Sequence, residues 1–97
     1  MTPEFVRQNF RVKKLHRSLV WRFYPKDKLS IAWHYRLAYL PQDRRFVASI
    51  LTRQPGRQQN RRAVSDDIRD ALREALPPKA VALCARESLL PWKGTNP

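Results

Sequence analysis

The chain has 97 residues, with twenty lysines and arginines against eight acids and a formal net charge of +12. That length holds one domain with a modest core, and a surface this cationic repels itself and attracts polyanions. The single cysteine, Cys84, excludes an internal disulfide, its spacing from His16 and His34 makes no metal site, and no run approaches the ~18 apolar residues of a membrane-crossing helix.

The charge is unevenly spread. Residues 1–62 carry fifteen lysines and arginines against Glu4, Asp27 and Asp43, whereas residues 63–97 carry five against five. The first two thirds therefore present a basic surface, and the last third is suited to packing on protein.

Thr2, Pro3 and Glu4 read as a helix start: a capping hydroxyl, a proline in the first turn and an acid beside it. A helical period then runs over Phe5–Tyr24, with Phe5, Val12, Leu15, Leu19 and Phe23 on one face and Arg7, Arg11, Lys14 and Arg22 on the other. No acid lies between Arg7 and Arg22 to form compensating pairs one turn away. A bound polyanion would neutralise that stripe. The first 26 residues also have the basic, acid-poor composition of a mitochondrial targeting segment; a basic binding helix with no targeting role is the alternative.

Pro25 and Pro41 bracket the most apolar and aromatic run, Leu29–Leu40, which contains Trp33, Tyr35 and Tyr39. As a helix it is apolar nearly all round and buried on more than one side. Ile31, Trp33, Tyr35, Leu37 and Tyr39 also alternate with Ser30, Ala32, His34, Arg36 and Ala38, which is the period of a strand. On that reading Leu19–Tyr24, Leu29–Leu40 and Phe46–Thr52 form an antiparallel meander. Twelve residues is long for one strand in a small domain, and Phe46, Val47, Ile50 and Leu51 have helical spacing after a capping Asp43. Helix is therefore the expectation.

Residues 52–62 form a polar, basic loop turning at Pro55-Gly56, with Arg53, Arg57, Arg61 and Arg62 suited to phosphate contact. Ser65 caps a helix over Ser65–Leu76, with Asp66 and Asp67 in its first turn and Pro77-Pro78 ending it. A shorter, alanine-rich helix spans Lys79–Leu90, in which Cys84 reads as a small buried hydrophobe. Trp92 follows as a peg into a partner or a lid on the core.

No catalytic set emerges. Neither histidine has a sequence-adjacent carboxylate or serine, and two glycines make no phosphate-cradling loop. The chain reads as no enzyme and calls for no cofactor, metal or small-molecule substrate. What remains is three basic clusters, Arg7 to Arg22, Arg44-Arg45 and Arg53 to Arg62, interleaved with aromatics. Guanidinium forks grip phosphates and aromatic faces stack on unpaired bases. That combination fits structured RNA with exposed bases.

Leu15-His16-Arg17 in the first segment, Tyr35-Arg36 nineteen residues on, and Asp43 ahead of Phe46, Val47, Ile50 and Leu51 resemble the motifs of the LYR-motif family of small basic mitochondrial proteins. The match covers about residues 10–51 and departs at His16 and Tyr35, where the family has Tyr and Phe. The resemblance implies a three-helix bundle, binding of acylated acyl carrier protein, and a role as an assembly factor or accessory subunit of a respiratory complex. It would make Arg17 and Arg36 the carrier-protein contacts.

The expected fold is an all-α single domain of three to five short helices. It divides into a basic helical part over 1–51, a basic loop over 52–62 and a neutral helical part over 63–97. The alternative is α+β, with a three-stranded antiparallel meander over 19–52 and C-terminal helices. The expected function is a small structural subunit of a ribonucleoprotein, foremost a mitochondrial ribosomal protein on the matrix side. Arg7, Arg11, Lys14, Arg22, Arg44, Arg45, Arg53, Arg57, Arg61 and Arg62 would hold rRNA, and Trp33, Tyr39 and Trp92 would pack on neighbouring proteins. The LYR-like accessory subunit is the alternative.

Overall fold

A computed structural model describes residues 1–27, 32–52 and 60–89. They form an antiparallel sheet with helices at either end of the chain. In order these are α1 (Pro3–Asn9), β1 (Phe10–Lys14), β2 (Val20–Pro25), β3 (Trp33–Leu40), β4 (Arg45–Thr52), β5 (Asn60–Ala63), α2 (Asp66–Glu74) and α3 (Pro78–Ser88). Each strand pairs with the next, giving the spatial order β1-β2-β3-β4-β5.

The all-α expectation is therefore wrong, and the α+β alternative describes the chain. Its three strands are β2, β3 and β4, and the meander gains one more strand at each side. The alternation through residues 33–40 is the stronger signal because it gives each face of the sheet one chemistry. Trp33, Tyr35, Leu37 and Tyr39 share the face that also carries Phe23 and Trp21, their register partners being Phe23 for Tyr35 and Trp21 for Leu37. Length was a poor objection, since β3 takes only eight residues. Pro41 does not precede a helix. It enters a tight hairpin in which Asp43 N–H donates to Leu40 O and Arg44 N–H to Pro41 O.

The long first helix also fails. Thr2 does cap α1, its hydroxyl accepting from Phe5 N–H, and Pro3 sits in the first turn. The helix stops at Asn9, whose side-chain amide donates to Phe5 O at 2.9 Å and satisfies a carbonyl of the last turn. The next five residues pair with β2, setting Val12 against Phe23 and Lys14 against Trp21. The apolar set Phe5, Val12, Leu15, Leu19 and Phe23 is thus split between α1, two strands and their connection. Nor do residues 43–51 form a helix: Phe46 to Leu51 lie in β4.

The C-terminal helices follow the sequence closely. Ser65 caps α2 by accepting from Ile68 N–H, with Asp66 and Asp67 in the first turn. Pro78 opens α3, in which Cys84 is buried. The described helices pack on one face of the sheet. Val6 from α1, Ala71, Leu72, Ala75 and Leu76 from α2 and its end, and Ala80 and Cys84 from α3 join Phe10, Trp21, Phe23, Tyr35, Leu37 and Ala48 in one core. Leu72, Phe23 and Leu37 are fully buried, each worth about 1.5–3 kcal/mol of apolar transfer.

Arg7 locks the helical layer. Its guanidinium donates to Glu74 O, the end of α2, at 2.8 Å, and pairs with Glu4 at 3.0 Å. Tyr39 OH bonds Ser88 Oγ, and Ser88 Oγ also reaches Cys84 O at 3.0 Å. A serine has one proton to give, so Tyr39 is the donor in the first bond and ties β3 to the end of α3. Among the described residues no helix is long and apolar enough to cross a membrane.

Candidate nucleic-acid interface

Side chains directly opposite in an antiparallel sheet share a face, and neighbours along a strand do not. The residues alternating with the core set therefore stand together on the second face, where no described helix packs. Two rows cross it. The first runs Lys13, Arg22, Arg36, Ser49 and Ala63 over all five strands in register. In the second, Arg11 lies opposite Tyr24, and His34 opposite Leu51, which lies opposite Arg61. Tyr24 and His34 join that row through their rings, stacked at 4.8 Å and 28°.

The five strands contain no aspartate or glutamate. Six acids, Glu4, Asp66, Asp67, Asp70, Glu74 and Glu87, lie on the helices, beside Arg7, Arg69, Arg73, Lys79 and Arg86. The fold thus separates charge by layer: the helical side is close to neutral and the second sheet face is cationic. The residue count shows part of this separation, since all five strands precede the two C-terminal helices; which cations share a face depends on the register.

The cations of the open face are crowded. Like charges directly opposite on a sheet destabilise it, and Lys13, Arg22 and Arg36 stand in one line. Arg22 and Arg36 are half-buried. Burial, then Arg61 and Arg22, pull the Arg36 guanidinium below its ordinary range. Burial and then Arg22 hold His34 below its usual 6.5. The buried Nε of Arg22 and Nε2 of His34 have no hydrogen-bond partner in the described structure. Buried polar atoms are ordinarily satisfied, so these two, covered within the fold, carry an uncompensated desolvation cost on the basic face.

No protein-family model, no curated protein and no solved structure matches this chain. The reading of the face rests on its own chemistry.

The expected site residues divide. Arg11, Arg22, Arg36 and Arg61 meet on the open face, with Arg45 at its hairpin end opposite Leu40. Arg7 is on α1, engaged in capping α2. Lys14 and Arg62 lie on the helix-bearing side, opposite Trp21 and Ile50. Arg44 is in the hairpin, exposed and in the left-handed region at φ 51°. Arg53, Arg57 and Trp92 fall outside the described residues. Trp33 spends its ring on Phe10 and Tyr35, at 6.0 and 5.1 Å, and Tyr39 on Phe46 at 4.7 Å.

The residues of the LYR-like pattern do not share a bundle. Leu15-His16-Arg17 occupies the β1–β2 connection, where Arg17 has φ 55°, Tyr35-Arg36 lies in β3 and Asp43 in the β3–β4 hairpin. The three-helix bundle expected from the resemblance is not the fold of these residues. Sequence reasoning missed Lys13, Tyr24 and His34 as members of one surface. The pairs Arg11/Lys13, Arg22/Tyr24 and His34/Arg36, each two residues apart, carried that signal.

Proposed function

We propose that this protein is a small RNA-binding structural subunit of a ribonucleoprotein, with RNA lying across the open face of its sheet. The observation that carries this reading is the in-register line Lys13–Arg22–Arg36, backed by Arg11 and Arg61, on a sheet without a single acid. Phosphates would neutralise the line and accept from its guanidinium and ammonium groups. Tyr24, half-buried and stacked on the buried His34, stands beside those cations, and unpaired bases stack on aromatic rings. The helical layer, near neutral and tied by Arg7 and Tyr39, packs on the other face, while Lys13 and Arg11 are exposed and Arg22 and Arg36 half-buried on this one.

The test is recovery of the tagged protein from its native cells with and without RNase, at low and high salt. RNA recovered with the protein, and loss of its partners on RNase treatment, supports the reading. Partners that survive RNase and include a small acidic acyl carrier protein would sink it.

A further inference from the structure

A second basic site lies on the other side of the sheet and does not depend on the open face. The β3–β4 hairpin and the helices α2 and α3 border an open cavity of about 390 Å³. Four arginines line it: Arg44 and Arg45 from the hairpin, and Arg69 and Arg73 from successive turns of α2. Asp70 is the one acid in the lining, and it is already engaged, accepting from Arg69 Nε and Nη2 at 3.2 Å. Arg69 also pairs with Asp66 at 3.2 Å. Arg44, Arg45 and Arg73 take part in no ion pair among the described residues. Three exposed arginines with no ion pair among the described residues therefore line one concave space.

Two further features define what that space takes. Tyr39 and Phe46, with ring centroids 4.7 Å apart, form an aromatic wall of the cavity. Arg44 reaches it from a left-handed backbone position at φ 51°, where glycine is the unstrained choice. Cys84 also lines the cavity, but burial, then Glu87, pushes its thiol up to about 11, so the site is built for binding and not for thiolate chemistry.

We propose that this cavity binds the phosphate monoester of a nucleotide, with the arginines on the phosphate and the aromatic wall beside the base or sugar. Multiple guanidinium groups suit a dianionic phosphate better than a carboxylate. The phosphate belongs to a free mononucleotide or to the 5′ end of a nucleic acid. Arg45 borders both the cavity and the open face, since it is opposite Leu40 in the register, so a strand turning round the hairpin joins the two.

The experiment is calorimetric titration of the full chain with AMP, adenosine, inorganic phosphate, and one short oligonucleotide carrying either a 5′-phosphate or a 5′-hydroxyl. AMP is expected to bind at least about tenfold tighter than adenosine. Arg73→Gln and Arg44→Gly should each weaken AMP about tenfold; Arg44→Gly also relieves the backbone, which guards against a folding failure. Arg86→Gln, exposed on α3 and outside both the cavity lining and the sheet face, should leave AMP binding unchanged. A gain from the 5′-phosphate on the oligonucleotide identifies a nucleic-acid end as the source, and AMP binding without that gain identifies a free nucleotide. AMP no tighter than adenosine, unaltered binding by Arg73→Gln and Arg44→Gly, or equal loss in Arg86→Gln would overturn the proposal.

Discussion

Arg22 and Arg36 stand directly opposite one another on β2 and β3, on the sheet face that carries no described helix. Lys13 extends the pair on the other side of Arg22. Two guanidinium groups in a cross-strand pair repel each other, and neither strand offers an acid to separate them. A fold optimised for stability alone would place a carboxylate or a threonine in one of these positions. On the proposed function, a bound polyanion neutralises the pair.

Stability should therefore improve when the pair is broken. Arg36→Thr, which keeps a strand-forming side chain, is expected to stabilise the free protein by about 0.2–1 kcal/mol at low salt. Added salt should shrink the gain by screening the repulsion. Urea unfolding at two ionic strengths checks both statements.

His34 gives the face a pH dependence of defined sign. Burial and Arg22 hold its folded pKa below 6.5. The unfolded chain therefore binds more protons between 6.5 and that lower value. The contribution of His34 to stability is therefore full above 6.5 and is lost as pH falls through the folded pKa. RNA acts in the opposite direction, since phosphates favour the imidazolium. Affinity for RNA should rise as pH falls from about 7.5 to about 5.5, and His34→Gln should flatten that dependence. Fluorescence anisotropy across the range reads the effect.

Arg44 and Arg17 are both non-glycine residues at positive φ. Their backbone conformation costs on the order of 1 kcal/mol. Arg44→Gly and Arg17→Gly should each raise stability by up to about that amount, measured by the urea midpoint. Arg17→Gly should leave the open face unaltered.

Arg7 separates structural from functional arginines. It spans from Glu4 to Glu74 O and touches no strand of the open face. Arg7→Gln should cost about 0.5–1.5 kcal/mol of stability and leave the RNA affinity of the folded protein within about twofold. Parallel unfolding and binding titrations decide it.

The parts of the fold legible in the sequence are those specified by local chemistry. Thr2-Pro3-Glu4 and Ser65-Asp66-Asp67 mark helix starts because capping needs only neighbouring atoms, and both starts are real. The strands were harder. Phe5 to Phe23 satisfies a helical period by chance, because α1, β1 and β2 each contribute apolar residues at intervals that happen to match. Only the pairing of Val12 with Phe23 and of Tyr35 with Phe23, which is non-local, decides between the periods. The site follows the same rule. That the chain is strongly basic can be read from composition. Which cations stand together cannot, because Arg11, Arg22, Arg36 and Arg61 come from four different strands and meet only through register. Arg7, one helical turn from Arg11 in the expected stripe, proves to be on the other layer.

The most direct test of the open face is the salt dependence of single-stranded RNA binding by the wild-type chain and by the Arg22→Gln/Arg36→Gln variant. Each phosphate contact contributes about 0.7 to the slope of log affinity against log salt for a single strand. The double variant should bind at least about tenfold more weakly near physiological salt and lose roughly 1–1.5 from that slope, with its fold intact by circular dichroism. Equal affinity and equal slope for the two proteins would contradict the assignment of this face to RNA.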